Sequence, residues 1–232
     1  MENKLNSKGK KEGLWIFKGP TGKKLREANY KNGIQDGQEI RYFNNNNRKE
    51  SIANYKNGKL NGPYVSFHNK SGSQIEEKGE YKNGKRHGYW IFRDILNNKE
   101  GTYVNGKKHG HWIESTSGWN IKGFYCNDKK EGAWLSIRYP LDLPNKAPID
   151  KIEYYKDGKL DFVSINFYEN GKVYNFKEYQ EGKRHGKFYT YLQDGKIYEG
   201  GNYKNDKKEG EWIEDFDAGS FVKRNYKNGK QI

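Results

Sequence analysis

A single cysteine, Cys126, stands in 232 residues, so no disulfide can close within the chain and a disulfide-stapled scaffold is excluded. Long apolar runs are also missing. None approaches the roughly 20 residues needed to span a bilayer, and the opening Met1-Glu2-Asn3-Lys4-Leu5 leads on without the apolar stretch of a secretory signal. These absences set the expectation of a cytoplasmic protein without a transmembrane segment. Branched aliphatic residues are scarce too. Leu, Ile, Val and Phe together make 42 residues, about 18%, and with a net charge of +14 that composition falls in the range of disordered chains.

Periodicity overrules the composition. Versions of Tyr81-Lys82-Asn83-Gly84-Lys85-Arg86-His87-Gly88-Tyr89-Trp90 recur along the chain, anchored at Tyr30, Tyr55, Tyr81, Tyr103, Tyr125, Tyr155, Tyr179, Tyr203 and Tyr226. A headless copy ends in Gly13-Leu14-Trp15. A disordered chain has no reason to keep aromatics at fixed offsets. A near-constant period in this range instead means one supersecondary unit stacked on itself, each copy burying its face against its neighbours. Residues 1–232 therefore read as one array of about ten repeats.

Each repeat carries two turn signals separated by short β-prone stretches, the pattern of a β-hairpin. The first is Asn-Gly-Lys-x-x-Gly, as in Gly58 and Gly62 after Tyr55, Gly84 and Gly88 after Tyr81, and Gly106 and Gly110 after Tyr103. Nine residues beyond the anchor lies an aromatic in Trp15, Tyr64, Trp90, Trp112, Trp134, Phe188 and Trp212, with Glu39 and Ser164 as exceptions. The next position is aliphatic, for example Ile91 and Ile113, and alternation along a strand points it to the other face. The expected fold is all-β: one elongated antiparallel meander of hairpins, curled or twisted so that one apolar row is enclosed and the other partly accessible.

The Tyr-Lys-Asn-Gly-Lys-x-x-Gly-x-Trp unit resembles the MORN repeat, in particular its bacterial variant form with a longer period, over nearly the whole chain. The resemblance implies a hairpin-repeat sheet that serves as a binding scaffold. It also implies an antitoxin-like or immunity-like role in bacteria, whereas eukaryotic members are linked with membrane attachment and protein assembly. Asp128 and Asp206 depart from the pattern at the turn glycine, and Phe162 at the second glycine. These departures leave the local turn geometry open and not the resemblance.

Three surfaces invite a functional reading. The first turns should line one edge, where Lys85-Arg86, Lys107-Lys108, Lys129-Lys130 and Lys183-Arg184 form rungs of a basic ladder about 10 Å apart. Such a ladder fits an acidic protein partner first, anionic lipid second and nucleic acid third. The aromatic row offers stacking surface for bases, but cross-strand packing accounts for the tryptophans. The period breaks at residues 139–149, an insertion holding three of the five prolines, where Leu141 and Leu143 are candidates for a specific contact.

Catalysis finds no foothold. His87, His109 and His185 share a turn position held elsewhere by Glu12, Asn61, Glu131 and Glu209, which points to a turn role. His109-x-His111 lacks a third ligand nearby for a metal. The Gly84–Gly88 segment misplaces its lysine for a phosphate loop. Cys126 has no activating neighbour, and Glu214, Asp215 and Asp217 lie in a strand and turn. The expectation is a non-enzymatic protein without cofactor or metal.

Overall fold

In the computed structural model, residues 2–69, 74–138, 149–217 and 220–232 are described. Every strand belongs to one sheet built of repeated antiparallel hairpins, and the described residues contain no helix. The all-β hairpin fold read from the repeats is the observed one. Two compact units divide the chain, Met1–Gly110 and His111–Ile232.

The first unit contains β1 (Lys4–Leu5), β2 (Lys11–Lys18), β3 (Lys24–Lys31), β4 (Ile34–Tyr42) and β5 (Lys49–Lys56). It continues with β6 (Lys59–Phe67), β7 (Ile75–Lys82), β8 (Lys85–Arg93) and β9 (Asn97–Val104). Each strand pairs antiparallel with the next, from β1–β2 to β8–β9. The unit boundary falls within β10 (Lys107–Thr116). Next come β11 (Trp119–Cys126), β12 (Lys129–Arg138), β13 (Ile149–Lys156), β14 (Lys159–Phe167) and β15 (Val173–Gln180). β16 (Lys183–Tyr191), β17 (Ile197–Lys204), β18 (Lys207–Asp217), β19 (Ser220–Lys227) and β20 (Lys230–Gln231) complete the second unit. From β11 to β20 the pairing again follows chain order.

The first turn is tighter than the six-residue signal. Only Asn-Gly turns: Asn57 and Gly58 have φ of 50° and 76°, and Asn83 and Gly84 have 51° and 80°. Positive φ at both central residues is the two-residue type I′ hairpin, whose twist matches that of its strands. The following Lys-x-x-Gly belongs to the next strand. There the pairing jumps from Tyr55↔Leu60 to Ala53↔Tyr64, a bulge that contains Gly62 at φ 105°.

The substituted copies, whose turn geometry the sequence left open, keep this geometry. Asp128 and Asp206 sit at φ 68° and 67°, and Phe162 at 68°. Aspartate tolerates the left-handed region because its short polar side chain bonds locally. Phenylalanine has no such compensation, and its conformation is imposed by the hairpins around it.

Neighbouring hairpins are stitched at the turn edge. In the first unit the turn amide of Gly58 donates to the Gln35 carbonyl at 2.8 Å, and that of Gly84 to Leu60 at 2.7 Å. In the second, Gly182 donates to Leu160 at 2.7 Å and Gly229 to Lys208 at 2.9 Å. A side chain adds the second stitch. The amide of Asn32 donates to Glu12 Oε2, Asn57 to Asp36 Oδ2, Asn83 to Asn61 Oδ1 and Asn228 to Glu209 Oε2, at 2.8 to 3.1 Å. Glu, Asp and Asn at this position are thus acceptors for the next repeat's turn.

The core lies on the ring face of each unit. Trp90 in the first unit, and Trp112, Trp134 and Trp212 in the second, are buried. Trp90 stacks on Tyr64 at 5.9 Å and meets Tyr81 edge-on at 5.0 Å. The indole Nε1 donates to the Glu80 carbonyl at 3.0 Å, so the one polar atom of the ring is satisfied. Burying an indole contributes on the order of 5 kcal/mol before conformational entropy is counted. On the opposite face Ile16, Ile40, Val65, Ile91, Leu135, Ile165 and Ile213 are half-buried and Ile113 is exposed.

Candidate functional site: the turn edge and the two sheet faces

The basic doublets do not form the two-residue rungs read from the sequence. Consecutive strand residues point to opposite faces, and the structure separates each doublet accordingly. Lys85, Lys107, Lys129 and Lys183 are exposed beside their turns, whereas Arg86, Lys108, Lys130 and Arg184 are half-buried. Arg86 lies over the Trp90 ring at 4.7 Å and pairs with Glu77 at 2.8 Å. Lys130 lies over Trp134 at 4.3 Å and Tyr155 at 4.7 Å. Arg184 covers Tyr203 at 4.1 Å and pairs with Asp206 at 3.1 Å. The second cation of each of these three doublets is committed to the aromatic core by cation–π contact, leaving one exposed lysine on that side of the turn.

A different lysine supplies its partner. Lys56 stands directly opposite Lys59, and Lys82 opposite Lys85, at the bases of two hairpins of the first unit. Lys156–Lys159, Lys204–Lys207 and Lys227–Lys230 repeat the arrangement in the second. All ten are exposed. Like charges directly opposite across a ladder are destabilising. These pairs were missed in the doublet reading, although a Lys-Asn-Gly-Lys tetrapeptide with a two-residue turn places its lysines face to face.

The exceptions in the aromatic row are buried polar centres. Glu39 is only 2% exposed. It accepts from Arg41 Nε at 2.8 Å, Arg26 Nε at 2.5 Å and Gln35 Nε2 at 2.8 Å. Burial opposes its charged form, but the hydrogen bonds from Arg41, Gln35 and Arg26 outweigh burial and hold the carboxyl below its ordinary value. Ser164, at the second exception, is buried and faces Lys177 on β15. Burial, with Lys151 and Arg184 nearby, lowers the Lys177 ammonium's pKa. The Tyr155 hydroxyl, 3.1 Å from Glu153 Oε2, is pushed well above its usual range by burial and by that carboxylate.

Two of the cavities in the first unit open on the sheet faces. One of about 830 Å³ opens on the aliphatic face beside Ile52, Val65, Tyr89 and Ile91. The other, about 300 Å³, opens on the ring face between Tyr55 and Tyr64. Among the described residues no cluster of three or more His, Cys, Asp or Glu is arranged to hold a metal, and no helix is long and apolar enough to cross a membrane. Cys126 is half-buried, its Sγ 3.9 Å from Asn127 Nδ2. Leu141, Leu143 and the prolines around them lie outside the described residues. No family model matches the chain, and no curated protein matches it.

Proposed function

We propose that the chain is a non-enzymatic docking scaffold that binds an anionic macromolecule, an acidic protein face, along its turn edge. The carrying observation is the set of lysines held opposite one another at the hairpin bases, Lys56–Lys59 and Lys82–Lys85 in one unit and three more pairs in the other. Each pair costs the free protein stability and gains by neutralisation when an acidic surface arrives. Pairs on successive hairpins stand two strands, about 10 Å, apart, close to the Debye length of about 8 to 10 Å at physiological salt. A carboxylate-rich surface can therefore meet each pair almost independently, which favours fast, salt-sensitive association.

The resemblance to MORN-variant repeats makes an antitoxin-like or immunity-like partner the leading expectation, resting on analogy of the repeat alone. The test is affinity capture from the native lysate at low and moderate salt, with flotation on anionic vesicles and a single-stranded oligonucleotide shift assay in parallel. A stoichiometric acidic protein supports the proposal. Flotation or an oligonucleotide shift without a captured protein replaces it with lipid or nucleic-acid binding.

A further inference from the structure

The face opposite the rings differs between the two units. Three residues before its anchors the first unit places Glu27, Ile52, Lys78 and Glu100, so charge interrupts the row that includes Ile16, Ile40, Val65 and Ile91. In the second unit the row is apolar from β12 to β18. Leu135 stands opposite Ile152, Ile152 opposite Ile165, Ile165 opposite Phe176 and Phe176 opposite Tyr189. Tyr189 then faces Gly200, and its ring fills the space there: a Cβ on Gly200 would lie 2.3 Å from the ring's Cδ1. Ile213 follows, and lysines close the row, Lys122 opposite Leu135 and Lys223 opposite Ile213. The repeat fold does not demand apolar residues here, since the first unit forms the same pairings with Glu27, Lys78 and Glu100 in place.

A second apolar row runs beside the first, towards the second turns: Ile137 opposite Ile149, Phe167 opposite Val173 and Tyr191 opposite Ile197. Apart from exposed Ile149 and buried Gly200 these residues are half-buried, and the described residues hold no helix and no second sheet to cover them. Over β15–β18 the charged Glu178, Lys187 and Glu211 bound the band on the first-turn side. The band is about 29 Å long from β12 to β18 and, at two rows of side chains, roughly 10 Å wide. An apolar patch of about 300 Å² is of the size that is often functional.

We propose that this band docks one amphipathic α-helix of a partner protein, about 19 residues long, with acidic residues flanking its apolar stripe. Backbone chemistry selects the helix. Apart from the hydroxyls of Tyr189 and Tyr191, the side chains of the band offer no hydrogen-bond partner. An extended or polyproline segment would lay unpaired peptide groups on them, whereas a helix bonds its own. Width decides against a second sheet: two rows match a helix about 10 to 12 Å across, and a broader layer would meet Glu178, Lys187 and Glu211. A second copy of the band, laid on the first in either direction, would set lysine ends against lysine ends. Exposed Lys122 instead suits a carboxylate beyond the apolar stripe. The inference is independent of the turn-edge reading, since it concerns a sheet face and an apolar contact.

The test titrates the full chain into a fluorescein-labelled peptide of about 19 residues, with leucines at i, i+3, i+4 and i+7 spacing and glutamates at both ends. Fluorescence anisotropy reads binding, and the control peptide keeps the end glutamates but scrambles the leucines. Saturable binding with a gain in helical circular dichroism is expected, the scrambled peptide being weaker by about tenfold or more. Ile152→Lys combined with Phe176→Lys places lysine where the first unit carries Lys78, so this variant is expected to fold and to bind at least about tenfold more weakly. Ile40→Lys, on the same face of the first unit, is expected to leave binding unchanged. Equal binding of the two peptides, or undiminished binding by the folded double variant, would overturn the proposal. Flotation with neutral phosphatidylcholine vesicles in place of peptide binding, abolished by the same double variant, would overturn it in favour of a lipid surface.

Discussion

The indole of Trp90 occupies the space that a side chain on Gly79 would need. A methyl group there would stand 2.3 Å from Cδ2 and 2.4 Å from Cε2 of the ring. Gly123 and Trp134 repeat the relationship at 2.3 and 2.4 Å, and Gly201 and Trp212 at 2.5 and 2.6 Å. Gly79 has no positive φ, so glycine is required for room and not for backbone freedom. Eleven residues separate glycine from tryptophan each time. In four copies where the earlier residue is larger the tryptophan is gone, Ala28 with Glu39, Ala53 with Tyr64, Glu153 with Ser164 and Lys177 with Phe188, whereas Trp15 follows Lys4 in the first, headless copy.

Gly79→Ala is therefore expected to cost about 1 to 3 kcal/mol through overpacking. Gly84→Ala meets open space at its turn and suffers only from its positive φ. Combining Gly79→Ala with Trp90→Phe should recover part of the loss. A double-mutant cycle by urea unfolding, with unchanged m, measures the coupling. Simple additivity would show that the two residues do not share the space.

Phe162 is the reverse case, a bulky side chain at φ 68° and 65% exposed. A left-handed conformation costs a non-glycine residue about 1 to 2 kcal/mol. Phe162→Gly should raise unfolding stability by about 1 kcal/mol. A loss of stability on thermal or urea unfolding would mean that the ring makes a compensating contact.

Acid should weaken the first unit at Glu39. Its folded pKa is depressed, so its stabilising contribution is fully present above the ordinary glutamate value of 4.5 and is lost as pH falls through the folded value. Glu39→Gln should flatten that part of the pH profile. Glu39→Ala, which leaves Arg26 and Arg41 without their shared partner, should cost about 3 to 5 kcal/mol near neutral pH. Urea unfolding at a series of pH values reads both effects. An unchanged acid profile in Glu39→Gln would remove this carboxylate from the account.

Much of this architecture was legible in the residues. Asn-Gly signals located the hairpins, the nine-residue offset found the row of rings, and alternation assigned Trp90 and Ile91 to opposite faces. Three features needed the fold. The glycine beneath each indole precedes the repeat's anchor by two residues, so it looked like strand filler. Arg86 and Lys85 read as one basic rung because neighbours in sequence look like neighbours in space, which strand alternation forbids. Glu39 stood out only as a missing aromatic, since its partners Arg26 and Arg41 come from two different strands. The contact expected of Leu141 and Leu143 lies outside the described residues.

The central claim, that the opposed lysines serve binding and not folding, is tested by combining Lys59→Glu, Lys85→Glu, Lys159→Glu, Lys207→Glu and Lys230→Glu in one chain. Each change turns a repulsive cross-strand pair into an attractive one, worth a few tenths to about 1 kcal/mol. Urea unfolding and capture of the partner at low salt are measured on the same preparation. The account predicts equal or greater stability together with loss of capture. Undiminished capture by the folded variant, or a fall in stability that accompanies the loss, would contradict it.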